Sequence, residues 1–407
     1  MVSTFWREWR FPVEFALLLA LAFFLPLREA PKNILWLAYV VAWVANRILT
    51  RDWGGRWDSW DTLIVAWLGS GYLAALFAGI RTPEANEWGA VNDLVRYLSI
   101  LFCVKRGRYT STQKVLLLSM LVASCVLADI EAWWRWKIEH ARKALELVSV
   151  GHVNHSAIYL AICTGTVFGM ALQYWRDKQS SLRILAVAAL ILLLSSILMT
   201  DSRAAVLATL LLIISLALLA GRAAGAGPRM WWALVAALIL SIGIGGWGAV
   251  SRQILHTEAN NVLAERDLIW SRALVASAAN PLFGVGMDNF SRITDERLQG
   301  WVIASGKPYV ASDFRRAPHA HSLYLNTLTE RGIAGLGVLL VVLTAWALLL
   351  RSRLPRGSGG ASVAVWCASF SGWFITLLIG FANTTLHHEH AILAVITLGL
   401  LLAAEPQ

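Results

Sequence analysis

Long apolar runs separated by short charged clusters constrain this chain more than any other feature of its sequence. The stretches 184–200, 204–220 and 332–350 approach the roughly 20 residues that span the hydrocarbon core of a bilayer. Only 15% of the 407 residues are charged, whereas a soluble domain carries roughly 25%. A soluble globular enzyme, a disordered chain, a coiled coil and a secreted disulfide scaffold are therefore excluded. The sequence predicts an all-α, polytopic membrane protein.

About twelve apolar segments predict transmembrane helices, and no shift in composition marks a second domain. We therefore expect residues 1–407 to form a single integral membrane domain. The predicted spans are 12–27, 33–48, 62–80, 90–104, 115–132, 155–174, 184–200, 204–220, 230–250, 321–350, 361–381 and 391–403.

Basic clusters occupy every second connection between these spans, including those at Arg51, Arg106, Arg176 and Arg353. Because cytoplasmic loops are enriched in Lys and Arg, this alternation predicts that both termini face the cytoplasm. It also accounts for the net charge of +10 without a nucleic-acid partner.

The stretch 251–320, between the ninth and tenth predicted spans, is the longest polar region and is expected on the opposite face of the membrane. Within it, residues 261–279 have the apolar spacing of a helix. Asn280 and Pro281 should end that helix, and Gly284 and Gly286 predict a tight turn. An amphipathic helix lying on the lipid headgroups is one interpretation of this segment.

Two arginines lie beside acidic residues at predicted helix ends. Asp201-Ser202-Arg203 separates two apolar spans, and Glu265-Arg266 lies on the amphipathic helix. Both groups have an interpretation without a function. Asp201-Ser202-Arg203 could be a turn with an arginine that anchors it at the membrane interface, and Glu265-Arg266 could be a solvated ion pair on a helix. The alternative is that the guanidinium groups bind an anion, because their planar fork matches phosphate oxygens.

His319 and His321 precede a predicted span and allow three interpretations. They could be helix-capping groups, zinc ligands or a base with a pKa suited to accepting a proton near neutral pH. Zinc would need a third ligand, and His387, His388 and His390 form the other histidine-rich patch. The four cysteines lie in or beside apolar segments and are expected to be small core residues.

The order of these motifs resembles the O-antigen ligase and polymerase superfamily of bacterial envelope glycosyltransferases. The resemblance covers about residues 150–350. Five segments carry it, namely 151–156, 201–203, 265–286, 319–325 and 330–332. The first contains His155, and the fourth contains the motif His-Ser-x-Tyr-Leu at 321–325. It implies a GT-C-like fold, a glycan donor linked to undecaprenyl pyrophosphate, and no metal or other cofactor.

Among the relatives, the resemblance favours the O-antigen ligase, which joins a glycan to a sugar hydroxyl of lipid A–core in lipopolysaccharide assembly. It implies a multi-pass protein of the bacterial inner membrane with a periplasmic active site, so 251–320 would be a large periplasmic loop. An O-antigen polymerase and a protein O-oligosaccharyltransferase remain alternatives, and a lipid-linked glycan transporter is a further one. The protein-modifying branch usually carries a long soluble C-terminal region, which is not expected here.

The predicted mechanism follows from the absence of an Asp-x-Asp pair in the sequence. Arg203 and Arg266 would stabilise the departing pyrophosphate in place of a metal, and His321 would be the general base, contributing about 10²–10⁴-fold. One base and one displacement imply inversion at the anomeric carbon. Supporting roles are predicted for His319, Ser322, Tyr324, Glu265, Asp201 and His155. Glu330 lies nine residues after His321, which is about 13 Å along a helix at 1.5 Å per residue. Because it is too far away to contact His321 along one helix, its predicted role is structural.

Overall fold

The computed structural model describes residues 2–81, 87–142, 144–221, 227–258, 265–355 and 362–404, and side chains from residue 11 onward except those of 245 and 247–258. Within these ranges the chain is all-helical. Its α-helices are α1 (Val2–Phe24), α2 (Glu29–Thr50), α3 (Ser59–Leu76), α4 (Glu87–Lys105), α5 (Ser111–Lys137), α6 (Val153–Arg176), α7 (Ser180–Met199), α8 (Arg203–Leu219), α9 (Pro228–Glu258), α10 (Arg266–Ala279), α11 (Asp295–Ala304), α12 (Leu323–Ser352), α13 (Val363–Ile379) and α14 (His388–Leu402).

Each of the twelve predicted apolar segments coincides with a helix, α1–α9 or α12–α14. Among the described residues, five helices are long and apolar enough to cross a membrane by length and composition, namely α2, α5, α6, α7 and α12. Five shorter apolar helices lie at Phe11–Phe24, Arg203–Leu219, Pro228–Ile244, Val363–Ile379 and His388–Leu402. The all-α prediction is confirmed, while the count of about twelve spans stays a prediction.

Helix α6 forms the centre of the bundle, and small residues allow its close packing. It lies against α13, α7, α8 and α14, and 94% of its most apolar window is buried. A Cβ added at Gly165 would come within 2.1 Å of the Ser371 hydroxyl, and one at Gly169 within 2.3 Å of Cys367. Glycines one turn apart therefore let α6 and α13 approach closely, as small residues do between membrane helices.

The cysteines match their predicted role as core residues. All four are buried free thiols in the helical bundle, at positions 103, 125, 163 and 367.

The polar region between α9 and α12 begins later than the sequence predicts. Helix α9 continues to Glu258, eight residues beyond the predicted span end at 250, so 251–258 is helical. The predicted amphipathic helix over 261–279 corresponds to α10, which begins at Arg266, while its first residues lie outside the described ranges. Asn280 ends α10 as predicted. Gly284 and Gly286 adopt positive φ angles of 75° and 106°, which confirms the tight turn.

Helix α12 contains a break at Gly332, where φ is 63° and ψ is −166°. The segment 281–286 packs against this break and supplies the missing backbone partners. Val285 N donates to Thr329 O (2.8 Å) and Ile333 N donates to Pro281 O (2.8 Å). The predicted turn and the Glu-Arg-Gly motif at 330–332 thus form one structural unit, which fixes where the first part of α12 lies.

Candidate functional site

A cavity of ≈ 790 Å³ lies between the N-terminal helices α2–α4 and the starts of α6, α12 and α14. Its walls carry an unusual density of ionisable side chains. Five carboxyl groups line it, those of Glu29, Asp93, Asp288, Glu330 and Glu389. Three basic side chains do so as well, those of Lys32, Arg96 and Arg331.

Seven of the nine histidines gather around His155 in the first turn of α6, and five of them line this cavity. The ring centroid of His155 lies 5.2 Å from that of His388, 5.3 Å from His390 and 6.5 Å from His319. The cluster consists of His152, His155, His319, His321, His387, His388 and His390. The two histidine-rich patches of the sequence, far apart along the chain, therefore meet in one place.

The three predicted reactive residues lie at the starts of three helices. Arg203 is the first residue of α8 and Arg266 the first of α10, while His321 directly precedes Ser322, the N-cap of α12. In each case a non-glycine residue at the helix entrance has a left-handed backbone, with φ of 57° at Asp201, 59° at Glu265 and 47° at His321. Such conformations are uncommon for residues other than glycine and gather at functional sites.

The structure places Arg266 within electrostatic reach of both Arg203 and His321. Burial, followed by the charge of Arg203, lowers the pKa of Arg266. Burial, followed by the charge of Arg266, lowers the pKa of His321. Arg266 therefore connects the surroundings of Arg203 with those of His321, while the roles of these residues stay a prediction.

The two candidate bases differ in their surroundings, although their ring centroids are only 4.3 Å apart. His319 faces the cavity, and burial together with the charge of His321 lowers its pKa to about 4. His321 is partly buried, and its Nδ1 atom is buried without a hydrogen-bond partner. A neutral imidazole nitrogen without a donor keeps a lone pair that can accept a proton.

The residues predicted to support the site have mainly structural contacts. Ser322 caps α12 by accepting from Leu325 N at 3.4 Å and donates to Gly380 O at 3.2 Å. Glu265 forms an exposed ion pair with Arg315.

Tyr324 does not lie in the histidine cavity. Its hydroxyl donates to Leu377 O (2.9 Å) and its ring lies 4.7 Å from that of Phe381. Both aromatic residues line a separate groove between α12 and α13, which is mostly apolar.

Glu330 forms hydrogen bonds both within α12 and to the segment that follows α10. Its side chain lines the cavity, accepts from Asn326 Nδ2 (3.0 Å) and accepts from Phe290 N (3.4 Å). These contacts hold the start of α12 against the segment after α10, in accord with the structural role predicted for it.

Sequence reasoning missed the wall that the N-terminal helices contribute. Lys32 of α2 is buried and forms an ion pair with Glu389 of α14, which joins the first and last parts of the chain. Asp93 and Arg96 of α4 form a second pair at 3.3 Å. The available signal was the presence of charged residues inside apolar segments, since such residues in membrane helices usually mark functional positions.

The fold and the site together define an all-helical membrane protein with a polar cavity that carries clustered histidine and arginine residues. Comparison with known families adds a more specific similarity. The family model described as O-antigen ligase matches residues 188–340, a range that includes Arg203, Arg266, His319 and His321. The match covers less than half of the chain, and it supports the resemblance seen in the sequence: residues 188–340 are similar to the O-antigen ligase family. No curated protein matches the chain.

This similarity has a broad functional meaning. Members of this family are glycosyltransferase-like enzymes, ligases or polymerases, and their substrates are in general lipid-linked glycans and lipid-type molecules.

Proposed function

We propose that the protein is an O-antigen ligase of the bacterial inner membrane, with its active site on the periplasmic side and a GT-C-like arrangement of about twelve spans. It transfers a glycan from undecaprenyl pyrophosphate to a sugar hydroxyl of lipid A–core. The observation that carries this proposal is the grouping of Arg203, Arg266 and His321 at three helix starts. The family match over the same residues supports it.

The donor's leaving group sets the first requirement of this chemistry. The bond between the anomeric carbon and the pyrophosphate oxygen breaks, and both bonding electrons leave with the pyrophosphate. Arg203 and Arg266 stabilise that growing negative charge by bidentate hydrogen bonds. The burial that lowers the pKa of Arg266 also weakens competition from water, which strengthens each such hydrogen bond.

The acceptor sets the second requirement, because a sugar hydroxyl is a poor nucleophile until it loses its proton. His321 accepts this proton as the hydroxyl oxygen attacks the anomeric carbon, and a single displacement inverts the configuration there. The lowered pKa of His321 keeps its imidazole neutral at neutral pH, which is the form a general base needs.

The cavity offers a place for the acceptor sugar next to this base. Its carboxyl, guanidinium and imidazole groups can exchange hydrogen bonds with several sugar hydroxyls. His319 lines the cavity and lies beside His321, so it would orient the attacking hydroxyl. In this arrangement the acceptor approaches from the cavity and the donor from the side of Arg203 and Arg266.

The deciding experiment combines radiolabelled lipid-linked glycan with lipid A–core in detergent, without ATP or added metal. Label should move to lipid A–core, which gel electrophoresis separates from the donor. Label in longer lipid-linked glycans would instead identify a polymerase. Movement of the donor across proteoliposome membranes without any covalent product would identify a transporter and refute the proposal.

A further inference from the structure

We propose that His155, His387 and His388 form a binding site for one divalent transition-metal ion of the zinc class. The site lies in the wall of the cavity and is separate from the proposed transfer chemistry, which uses no metal. The proposal rests on the geometry of three side chains, on the backbone that presents two of them, and on the charge of the cavity.

The geometry is close to that of a three-histidine metal site. One imidazole nitrogen from each residue lies within 4.8 Å of the other two. In a tetrahedral site with Zn–N bonds of about 2.0–2.1 Å, ligand nitrogens are about 3.3 Å apart. Rotation of the imidazoles about their side-chain torsions would bring the three nitrogens from within 4.8 Å of one another to this spacing. Three ligands leave the fourth position open, and because all three residues line the cavity, water or a solute can occupy it.

The backbone before α14 presents two consecutive histidines at the same place. Leu386 and His388 have positive φ angles of 55° and 49°, an unfavourable conformation for bulky residues. The result is that the rings of His387 and His388 lie only 3.7 Å apart between centroids. Strain of this kind persists where the surrounding structure enforces it, and it gathers at ligand-binding sites.

The electrostatic surroundings favour a cation over an anion. Five carboxyl groups and three basic side chains line the cavity, an excess of two carboxyl groups. The ion pairs Lys32–Glu389 and Asp93–Arg96 each remove one group of each sign, so the excess remains. Neutral imidazoles bind transition metals through their free nitrogen, whereas they do not attract phosphate.

The test measures metal binding directly on the full-length protein. The protein is purified in detergent, stripped with EDTA, desalted and titrated with Co²⁺, whose visible absorption reports tetrahedral coordination. We expect one Co²⁺ per chain, displaced by Zn²⁺. Because loss of an outer-shell partner alone weakens metal binding about 10–100-fold, His387→Ala and His388→Ala should each weaken it at least that much. His140→Ala is the matched control, since this exposed histidine lies outside the cluster, and it should bind as the unmutated protein does.

Size-exclusion profiles and thermal unfolding establish that each variant is folded. Zinc X-ray absorption on the unmutated protein gives a second measurement that needs no variant, and it should show three imidazole nitrogens at about 2.0–2.1 Å. Absence of binding, equal binding by His387→Ala, His388→Ala and His140→Ala, or fewer than three imidazole ligands would each overturn the proposal. Binding requires neither donor nor acceptor, so its outcome is independent of the proposed transfer reaction.

Discussion

The break in α12 at Gly332 provides the sharpest structural prediction, through the substitution Gly332→Ala. An alanine Cβ at this position would lie 2.3 Å from Leu282 O and 2.6 Å from Phe283 N. Real Cβ atoms essentially never approach other atoms closer than 3.0 Å. The backbone itself, with φ of 63° and ψ of −166°, is a conformation that glycine adopts and alanine avoids.

The expected loss of stability can be worked out from these contacts. Holding alanine in this backbone region costs about 1–3 kcal/mol. If the backbone shifts instead, the hydrogen bonds from Ile333 N to Pro281 O (2.8 Å) and from Ala334 N to Leu282 O (3.3 Å) are lost, at about 0.5–1.5 kcal/mol each. The free energy of unfolding should therefore fall by about 1–3 kcal/mol, whether the backbone holds its strained conformation or shifts and loses both bonds.

The assay is thermal unfolding of the purified protein in detergent, with Gly337→Ala as matched control. Gly337 lies in the same helix, and a Cβ there meets nothing within 4 Å. Gly337→Ala should leave the midpoint unchanged or raise it slightly, because alanine favours helices over glycine by about 1 kcal/mol. Gly332→Ala should lower the midpoint by several degrees. Equal midpoints for the two variants would show that the break does not depend on glycine, and would refute this reasoning.

Four further predictions concern the proposed chemistry and its setting. His321→Ala should lower the rate of transfer by about 10²–10⁴-fold, and so should His321→Asn, since asparagine tolerates the left-handed backbone; full activity in both would exclude His321 as the base. Because the pKa of His321 is lowered and its neutral form is the active one, the rate should hold as pH falls to the usual histidine pKa of about 6.5 and decline only below it; a decline starting above pH 7 would contradict this. Arg203→Lys and Arg266→Lys should each reduce transfer severely, because lysine keeps the charge but loses the planar fork, whereas transfer should survive excess EDTA. A reporter fused at Arg353 should be cytoplasmic and one at Gly300 periplasmic, and the same side for both would refute the proposed topology.

The positions of the helices were accessible from the sequence because each apolar run must satisfy its backbone polar groups internally. Helix ends were harder to locate. Helix α9 continues to Glu258 through residues such as Ser251 and Gln253, whose polarity indicated the start of a loop. Hydropathy reports where a chain can be buried in lipid, whereas a helix continues as long as its backbone hydrogen bonds do.

The candidate site was accessible only in part. The motifs around Arg203, Arg266 and His321 could be found because they lie close to helix ends in a recognisable order. The meeting of His155 with His388 could not, because it depends on how α6 and α14 pack. The contribution of Lys32 was missed for a similar reason, since its partner Glu389 lies at the opposite end of the chain.

The backbone at the three helix starts explains why short motifs carry the proposed chemistry. A left-handed residue turns the chain sharply, so that a helix begins one residue after Glu265 and two residues after Asp201. Helix N-termini expose unpaired N–H groups and the positive end of the helix dipole. Arg203 and Arg266 add full charges at such ends, so the side chain and the backbone both favour the negative leaving group. A site built in this way needs only two or three residues at each helix start, with the apolar bundle holding those starts together.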